Sequence, residues 1–321
     1  MKYSGIGGQA VLEGIMMMNG SDYAVAIRKP DGDIEVSREH YESITKKAKV
    51  LRLPFIRGVF RFADSMIVGL RTLSYSAEFL EDDEGGDSEE GPLERFLVKV
   101  FGEKAEKVVM GAVMAFSFVI AIAVFMVLPL LLAGLFRKLT PNENLIAVLE
   151  GILRIVIFIG YIVMVSRMED IHRTFMYHGS EHKCINCIEH GLPLTVENVR
   201  KSSRFHKRCG TSFLIIVMLI SVLLFMVVRT DSVGMRILSR ILLVPVIAGI
   251  SYEVLQLAGR TESKLIDLVS FPGICMQKLT TAEPDDSMIE VAIRAVEEVY
   301  DWKAFLRNNF PGALPSGEEE T

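Results

Sequence analysis

The hydrophobic pattern changes period several times along the chain, and the changes divide it. Tyr23 to Lys29 alternates apolar and polar positions, Pro30-Asp31-Gly32-Asp33 makes a turn, and Ile34-Glu35-Val36 returns, which predicts a β-hairpin. Arg38 to Lys49 is polar and reads as helical. From Phe55 to Phe79 the period lengthens: Phe55, Val59, Phe62, Met66 and Leu70 share one helical face, while Arg57, Arg61, Asp64 and Arg71 interrupt the apolar run. That predicts an amphipathic helix, lying along a membrane surface or packed on a soluble core. Four long apolar stretches follow at Val108–Phe136, Leu145–Ser166, Thr211–Val228 and Ile237–Ala258. A helix needs roughly 20 apolar residues to cross the hydrocarbon, so each is a candidate span. Near the end, Ile289, Ile293, Val296 and Tyr300 mark a second amphipathic helix, with Ser287 and Glu290 as a capping box.

This reads as a mainly α polytopic membrane protein with about four transmembrane helices, a small N-terminal β-hairpin and cytoplasmic helices. Residues 1–80 form an N-terminal region. An acidic linker at 81–94 carries eight acids and no base and reads as solvated and disordered. A four-span membrane domain covers 95–258, with a His/Cys loop at 167–210, and a C-terminal tail covers 259–321. Composition agrees: half of the 321 residues are apolar and 23% are charged, with mean hydropathy +0.34. The N-terminus shows no signal-peptide pattern. Four spans put both termini on one side, and an unexported N-terminal region puts that side in the cytoplasm. The connection between spans two and three carries eight Lys and Arg, against two in each of the others. By count this favours the same orientation, although the short connections are as basic per residue. The location expected is therefore the inner membrane, with the lipid bilayer as partner and no nucleic-acid motif. Glu150 and Arg154 sit inside span two one turn apart and are expected to pair.

The candidate chemistry is concentrated between His178 and Cys209. Four of the six histidines and three of the four cysteines fall there. Such cysteines resemble metal ligands or a redox pair more than a disulfide framework. His178, Glu181 and His182 form H-x-x-E-H, whose i and i+4 imidazoles can share a zinc ion on a helix while the Glu acts as base on water. Gly179 argues against a helix there. Cys184-x-x-Cys187 followed by His206-x-x-Cys209 competes for the same metal as a closed structural site. The metal-ligand candidates are thus His178, His182, Cys187, His206 and Cys209, with Glu181 as catalytic base. Glu13, Glu253 and Glu283 are candidate supports, Glu253 also as a third ligand. At the start, Gly5-Ile6-Gly7-Gly8-Gln9-Ala10 matches a dinucleotide fingerprint on paper, but four residues leave no room for the strand it requires. The stretch reads instead as a glycine-rich loop, expected beside His178 and His182.

Five segments carry a resemblance: Gly7-Gly8-Gln9-Ala10-Val11-Leu12-Glu13-Gly14, Ile56-Arg57-Gly58-Val59, Tyr177-His178-Gly179-Ser180-Glu181-His182-Lys183, Arg204-Phe205-His206-Lys207-Arg208-Cys209-Gly210-Thr211 and Thr280-Thr281-Ala282-Glu283-Pro284. Together they resemble the YqhQ-like family of bacterial membrane proteins, and the resemblance covers nearly the whole chain. It implies an integral membrane protein, one labelled as a predicted metal-dependent enzyme. Two functions remain in view. One is a metal-dependent hydrolase with a zinc site on the cytoplasmic face, acting on a membrane protein or peptide. The other is a non-catalytic scaffold or assembly factor stapled by structural zinc. A transporter built on Glu150, Arg154 and Glu253 has little support without discontinuous helices or an inverted repeat.

Overall fold

The apolar stretches and the alternating N-terminus become a membrane protein with a small sheet. The structure is a computed structural model, and it describes residues 1–81, 105–140, 142–228, 232–260 and 264–314. Among the described residues, four helices are long and apolar enough to cross a membrane, over Gly111–Leu135, Glu143–Val165, Gly210–Val227 and Gly234–Leu257. They expose large apolar side chains, Phe116, Phe118, Leu223 and Leu242 among them. Such a surface suits lipid and not water. The expected acidic linker lies outside the described residues, apart from Glu81, which ends a helix.

The chain divides into two compact units. The first comprises Met1–Asp83, Ile162–Ile220 and Leu242–Thr321. It opens with an antiparallel meander of β1 (Gly7–Val11), β2 (Gly14–Asn19), β3 (Asp22–Arg28) and β4 (Ile34–His40), in that order. The expected hairpin is β3–β4. The expected glycine-rich loop is instead two further strands, with Gly8 opposite Met17 and Val11 opposite Gly14. Alternation along the strands builds two cores. Ile15, Met17, Ala24 and Ala26 face one core, shared with the helices α5 (Glu169–Glu189) and α10 (Asp286–Val299). Val11, Met16, Tyr23, Val25 and Ile27 face the other, with Val68 of α1 (Ile56–Glu81).

Arg38–Lys49 is not the expected helix. Strand β4 continues to His40, and two 3-10 turns follow at Ile44–Lys46 and Lys49–Arg52. Asp64 on α1 accepts from Tyr41 Oη, Ser43 Oγ and the Ile44 N–H, which holds this segment in place of helical hydrogen bonds. Phe55, just before α1, and Phe62, Met66 and Leu70 on it are exposed, at 40–56%. The same unit holds the start of α7 (Gly210–Val227) and the end of α8 (Val233–Arg260), and α1 packs on both. The Phe62 and Phe213 ring centroids are 5.6 Å apart, and a Cβ on Gly58 would come within 3.0 Å of Gly249 Cα. Glu253, a candidate third ligand, is engaged elsewhere: Arg57 Nε and Nη2 donate to it at 2.7 and 2.5 Å, and the Phe55 N–H at 3.2 Å.

The second unit comprises Glu84–Tyr161 and Ser221–Ile241. Its first span is α2 (Ala105–Ile122), a π-helical turn (Ala123–Val127) and α3 (Leu128–Leu135). Pro129 has no N–H, so the carbonyl four residues back, on Phe125, loses its α-helical donor. Arg154 Nε on α4 (Glu143–Val165) donates to that carbonyl at 3.1 Å. The expected pair forms, with Arg154 Nη2 2.8 Å from Glu150 Oε1. A third member was not expected: Arg240 Nη2 lies 2.5 Å from Glu150 Oε2.

Candidate metal centre

Helix α5 runs through the H-x-x-E-H motif without a break. Gly179, expected to weaken it, is required there. A Cβ at this position would collide with the carbonyl oxygen of Ala282, which crosses the helix at that point. The crossing segment is Thr280-Thr281-Ala282-Glu283-Pro284. The Ala282 N–H donates to the Phe175 carbonyl at 2.8 Å. His178 Nδ1 lies 2.8 Å from the Thr280 carbonyl.

That last bond fixes the imidazole. A carbonyl only accepts, so Nδ1 carries the proton and Nε2 offers its lone pair. His182 is fixed in the same way, with Nδ1 2.7 Å from the Arg204 carbonyl. The two rings lie edge to face, with centroids 4.4 Å apart. Cys209 Sγ stands 3.2 Å from His178 Nε2, and the Thr211 N–H donates to this sulfur at 3.4 Å. One ligand atom from each of His178, His182 and Cys209 falls within 4.8 Å of the others, the metal-ligand group found among the described residues. Two ligands of one tetrahedral zinc stand about 3.5 Å apart, so the spacing fits, and two imidazoles with a thiolate suit that ion. A backbone carbonyl behind each ring nitrogen is the usual outer support of a ligating histidine.

The polar face of α5 brings Cys209 to this point. Lys183 Nζ donates to the carbonyls of Arg200 and Ser202, both at 2.9 Å. Asn186 Nδ2 donates to those of Ser203 and Phe205, at 2.7 and 3.0 Å. With His182 on Arg204, five carbonyls between residues 200 and 205 are bound by side chains of one helix. Gln277 on α9 (Lys264–Thr280) reads the next residue from both sides: Oε1 accepts the His206 N–H at 2.8 Å and Nε2 donates to the His206 carbonyl at 2.7 Å. Buried backbone groups need such partners, and satisfying them here fixes the path that ends at Cys209.

Glu181 is buried beneath β1. Its Oε2 lies 3.9 Å from His178 Nε2. Burial raises its pKa, against the lowering effects of His178 and the Gly8 N–H. Gly8 is required for this approach, because a Cβ would stand 2.6 Å from the Met16 carbonyl and 3.0 Å from Glu181 Cγ. Gly8 also lines a cavity of about 510 Å³ with Gln9, Arg61, Asp64, Tyr252 and Gln256.

The other candidates do different work. The Cys187 thiol donates to the Leu192 and Pro193 carbonyls, at 3.7 and 3.4 Å, so it is not in the group. Cys184 is in the apolar core, where burial pushes its pKa well up. The His206 and His182 ring centroids are 5.7 Å apart, but His206 Nε2 is engaged, 3.1 Å from Arg208 Nη2 and 3.5 Å from Glu189 Oε2. Burial, and then Arg208 and His182, lower its pKa despite Glu189. Glu283 is an exposed brace, 2.9 Å from Lys183 Nζ and 3.4 Å from Arg204 Nε. Glu13 sits at a positive φ of 47° in the β1–β2 turn. It accepts from Arg173 Nε and Nη2, at 2.6 and 2.5 Å, so it steadies α5 upstream of the cluster.

Glu189 had no role in the sequence reading. It is fully buried and accepts from the Ser4 N–H and Ser4 Oγ, each at 2.9 Å, and from Arg208. Burial alone would raise its pKa, but His206, Arg208 and Ser4 hold it at about 2. Its spacing of seven residues from His182 was the available signal, since two helical turns return to the same face.

The chain belongs to the family described as protein of unknown function (DUF1385), whose model matches residues 53–302. It is 35% identical, over 304 residues and 94% of each chain, to a Bacillus subtilis (strain 168) protein described as "Uncharacterized protein YqhQ". No solved structure matches it.

Proposed function

We propose that this protein is a metal-dependent hydrolase of the bacterial inner membrane, with a zinc centre on the cytoplasmic face and a membrane protein or peptide as substrate. The observation that carries the reading is the imbalance at the cluster. Three side chains that could serve as ligands converge, while a buried carboxylate stands close by and outside the group. A catalytic zinc keeps three protein ligands and one open position, whereas a structural one is closed by four. His178, His182 and Cys209 would hold the ion. Zinc, when bound, supplies Lewis acidity that makes water nucleophilic near neutral pH.

The protein's own groups do the rest. The Thr280 and Arg204 carbonyls keep the imidazole protons on Nδ1 and so keep both Nε2 atoms as donors of electron pairs. Glu181 takes the proton from water through its carboxylate, in a dry setting that raises its basicity. Cys209 immediately precedes a candidate span, which supports chemistry near lipid and substrates presented at the membrane. The exposed apolar stripe of α1 supports the same placement as a surface-lying helix.

The scaffold reading draws on a different fact. The cluster joins α5 to the start of α7, residues 31 apart in sequence, as a staple would. Metal analysis and complementation separate the two. Purified protein is expected to hold one zinc per chain, lost in His178→Ala and in Cys209→Ala. Glu181→Gln is expected to keep metal and abundance and to lose function in cells. Full function of Glu181→Gln, with collapse in abundance of Cys209→Ser, would establish the scaffold instead. Orientation needs introduced labels, because Cys184, Cys187 and Cys209 are buried. An external thiol reagent should reach Asn142→Cys and fail to reach Lys201→Cys in intact cells; the opposite result inverts the topology.

A further inference from the structure

Among the described residues, the charges buried in the second unit do not cancel. Glu150, Arg154 and Arg240 are 4%, 7% and 5% exposed, and two guanidinium groups against one carboxylate leave a single positive charge. Arg154 is fully occupied: Nη2 on Glu150, Nη1 on Ser221 Oγ at 2.7 Å, and Nε on the Phe125 carbonyl. Arg240 is not. Its Nη2 donates to Glu150, while its Nη1 is shielded from solvent with no hydrogen-bond partner among the described residues. Both guanidinium groups lie over the Phe225 ring, 5.1 and 4.7 Å from its centroid, so one ring serves two cations.

An uncompensated charge inside hydrocarbon is costly, and intramembrane charges usually mark a ligand or a partner group. Arg240 is six residues past Gly234, the start of its span. At 1.5 Å per residue that is roughly 9 Å in, less than the half-thickness of a roughly 30 Å core. Side chains of a helix lean toward its N-terminus, here toward the nearer surface. A guanidinium fork matches a phosphate oxyanion in shape as well as charge.

We propose that Arg240, held against Glu150 and Phe225, is a binding site for one singly charged phosphate group within the membrane domain. The phosphate belongs to an anionic lipid headgroup or is free inorganic phosphate. Glu150 competes with that ligand for Arg240, and Arg154 anchors Glu150 so that Arg240 Nη1 is left over.

The test uses the full chain purified in detergent. In one arm, native mass spectrometry follows retention of phosphatidylglycerol against a diacylglycerol with the same chains. In the other, inorganic phosphate is titrated while the unfolding temperature is read. The wild type should retain one phosphatidylglycerol in preference to diacylglycerol if the source is lipid. It should instead show a saturable rise in unfolding temperature if the source is free phosphate. Arg240→Leu removes the surplus charge and leaves the Glu150–Arg154 pair, so it should lose the ligand. Glu150→Gln removes the competitor and should bind at least as tightly as wild type. Binding in neither arm by wild type overturns the proposal, as does undiminished binding by Arg240→Leu. Should Arg240→Leu fail to fold, weakened binding in Glu150→Gln overturns it as well.

Discussion

In the second unit, Glu150 is gripped by Arg154 and Arg240, and the charged groups answer one another directly. In the first unit, His178, His182 and Cys209 are tied from behind, to the Thr280 carbonyl, the Arg204 carbonyl and the Thr211 N–H. Their remaining donor atoms point at a shared space. Buried charges paired with one another leave few donors over, here Arg240 Nη1. Side chains oriented by the backbone keep an atom that could bind an ion, with no neighbouring charge to compete for it. The two clusters should therefore fail differently when disturbed.

The largest effect is expected in the spans. Glu150→Leu strands two buried guanidinium groups and should destabilise by about 3–5 kcal/mol, as breaking buried ion pairs does. Arg154→Leu leaves Glu150 paired with Arg240 and should cost clearly less. Unfolding in mixed detergent measures both, and equal losses would mean that Arg240 does not share the carboxylate. Without that third member, a double Glu150/Arg154→Leu replacement would have seemed the mild change; it leaves Arg240 alone and should be severe.

Next comes Glu189, a structural carboxylate inside the first unit. Its pKa in the fold is about 2, below the ordinary 4.5. The ion pair is thus fully formed above pH 4.5 and its contribution fades as pH falls toward 2, because the unfolded chain binds the proton first. The loss should reach about 3 kcal/mol at most. Acid-unfolding curves of wild type and Glu189→Gln should converge in that window, and parallel curves would remove Glu189 as the cause. Neutral His206 adds to the trend, since its lowered pKa makes the folded state the weaker proton binder below neutrality.

A smaller stability effect with a sharper functional readout is expected at Gly179. Gly179→Ala pushes the Ala282 carbonyl outward, at about 1–3 kcal/mol by analogy with overpacked sites. Because Thr280 holds His178, zinc occupancy should fall while the spans stay folded. Unchanged occupancy would separate the crossing segment from the metal centre. The smallest effect belongs to Arg200 and Asp286, each about half exposed. Arg200→Ala should shift stability by under about 1 kcal/mol; a larger change in thermal unfolding would show that exposed pairs matter here as buried ones do.

Much of this was legible in sequence. Span positions follow from hydropathy alone, and β3–β4 from alternation around Asp31-Gly32. Strands β1 and β2 were hidden because Gly7, Gly8 and Gly14 carry no side chain to alternate, and Met16, Met17 and Met18 mask the two faces. The α10 cap is Asp285, which accepts from the Met288 N–H at 2.9 Å, and not Ser287. Both residues can cap, so spacing alone could not choose. Cys209 and Cys187 were equal candidates on paper. What separates them is tertiary: the carbonyls of residues 192 and 193 engage one thiol, while the strap on Lys183, Asn186 and Gln277 delivers the other. Glu253 looked available because its partner Arg57 lies 196 residues away.

The contact between Gly179 and the Ala282 oxygen has a genetic consequence. A clash between two side chains can be repaired by trimming either one, so the two positions drift as a pair. Here one partner is main chain, which every amino acid carries. No replacement at position 282 removes the obstacle. Revertants of a Gly179→Ala strain should therefore restore glycine, or alter the path of the crossing segment at positions such as Pro284, whose ring also lies against Gly179. Helix α5 is held to glycine there by an atom that mutation cannot delete.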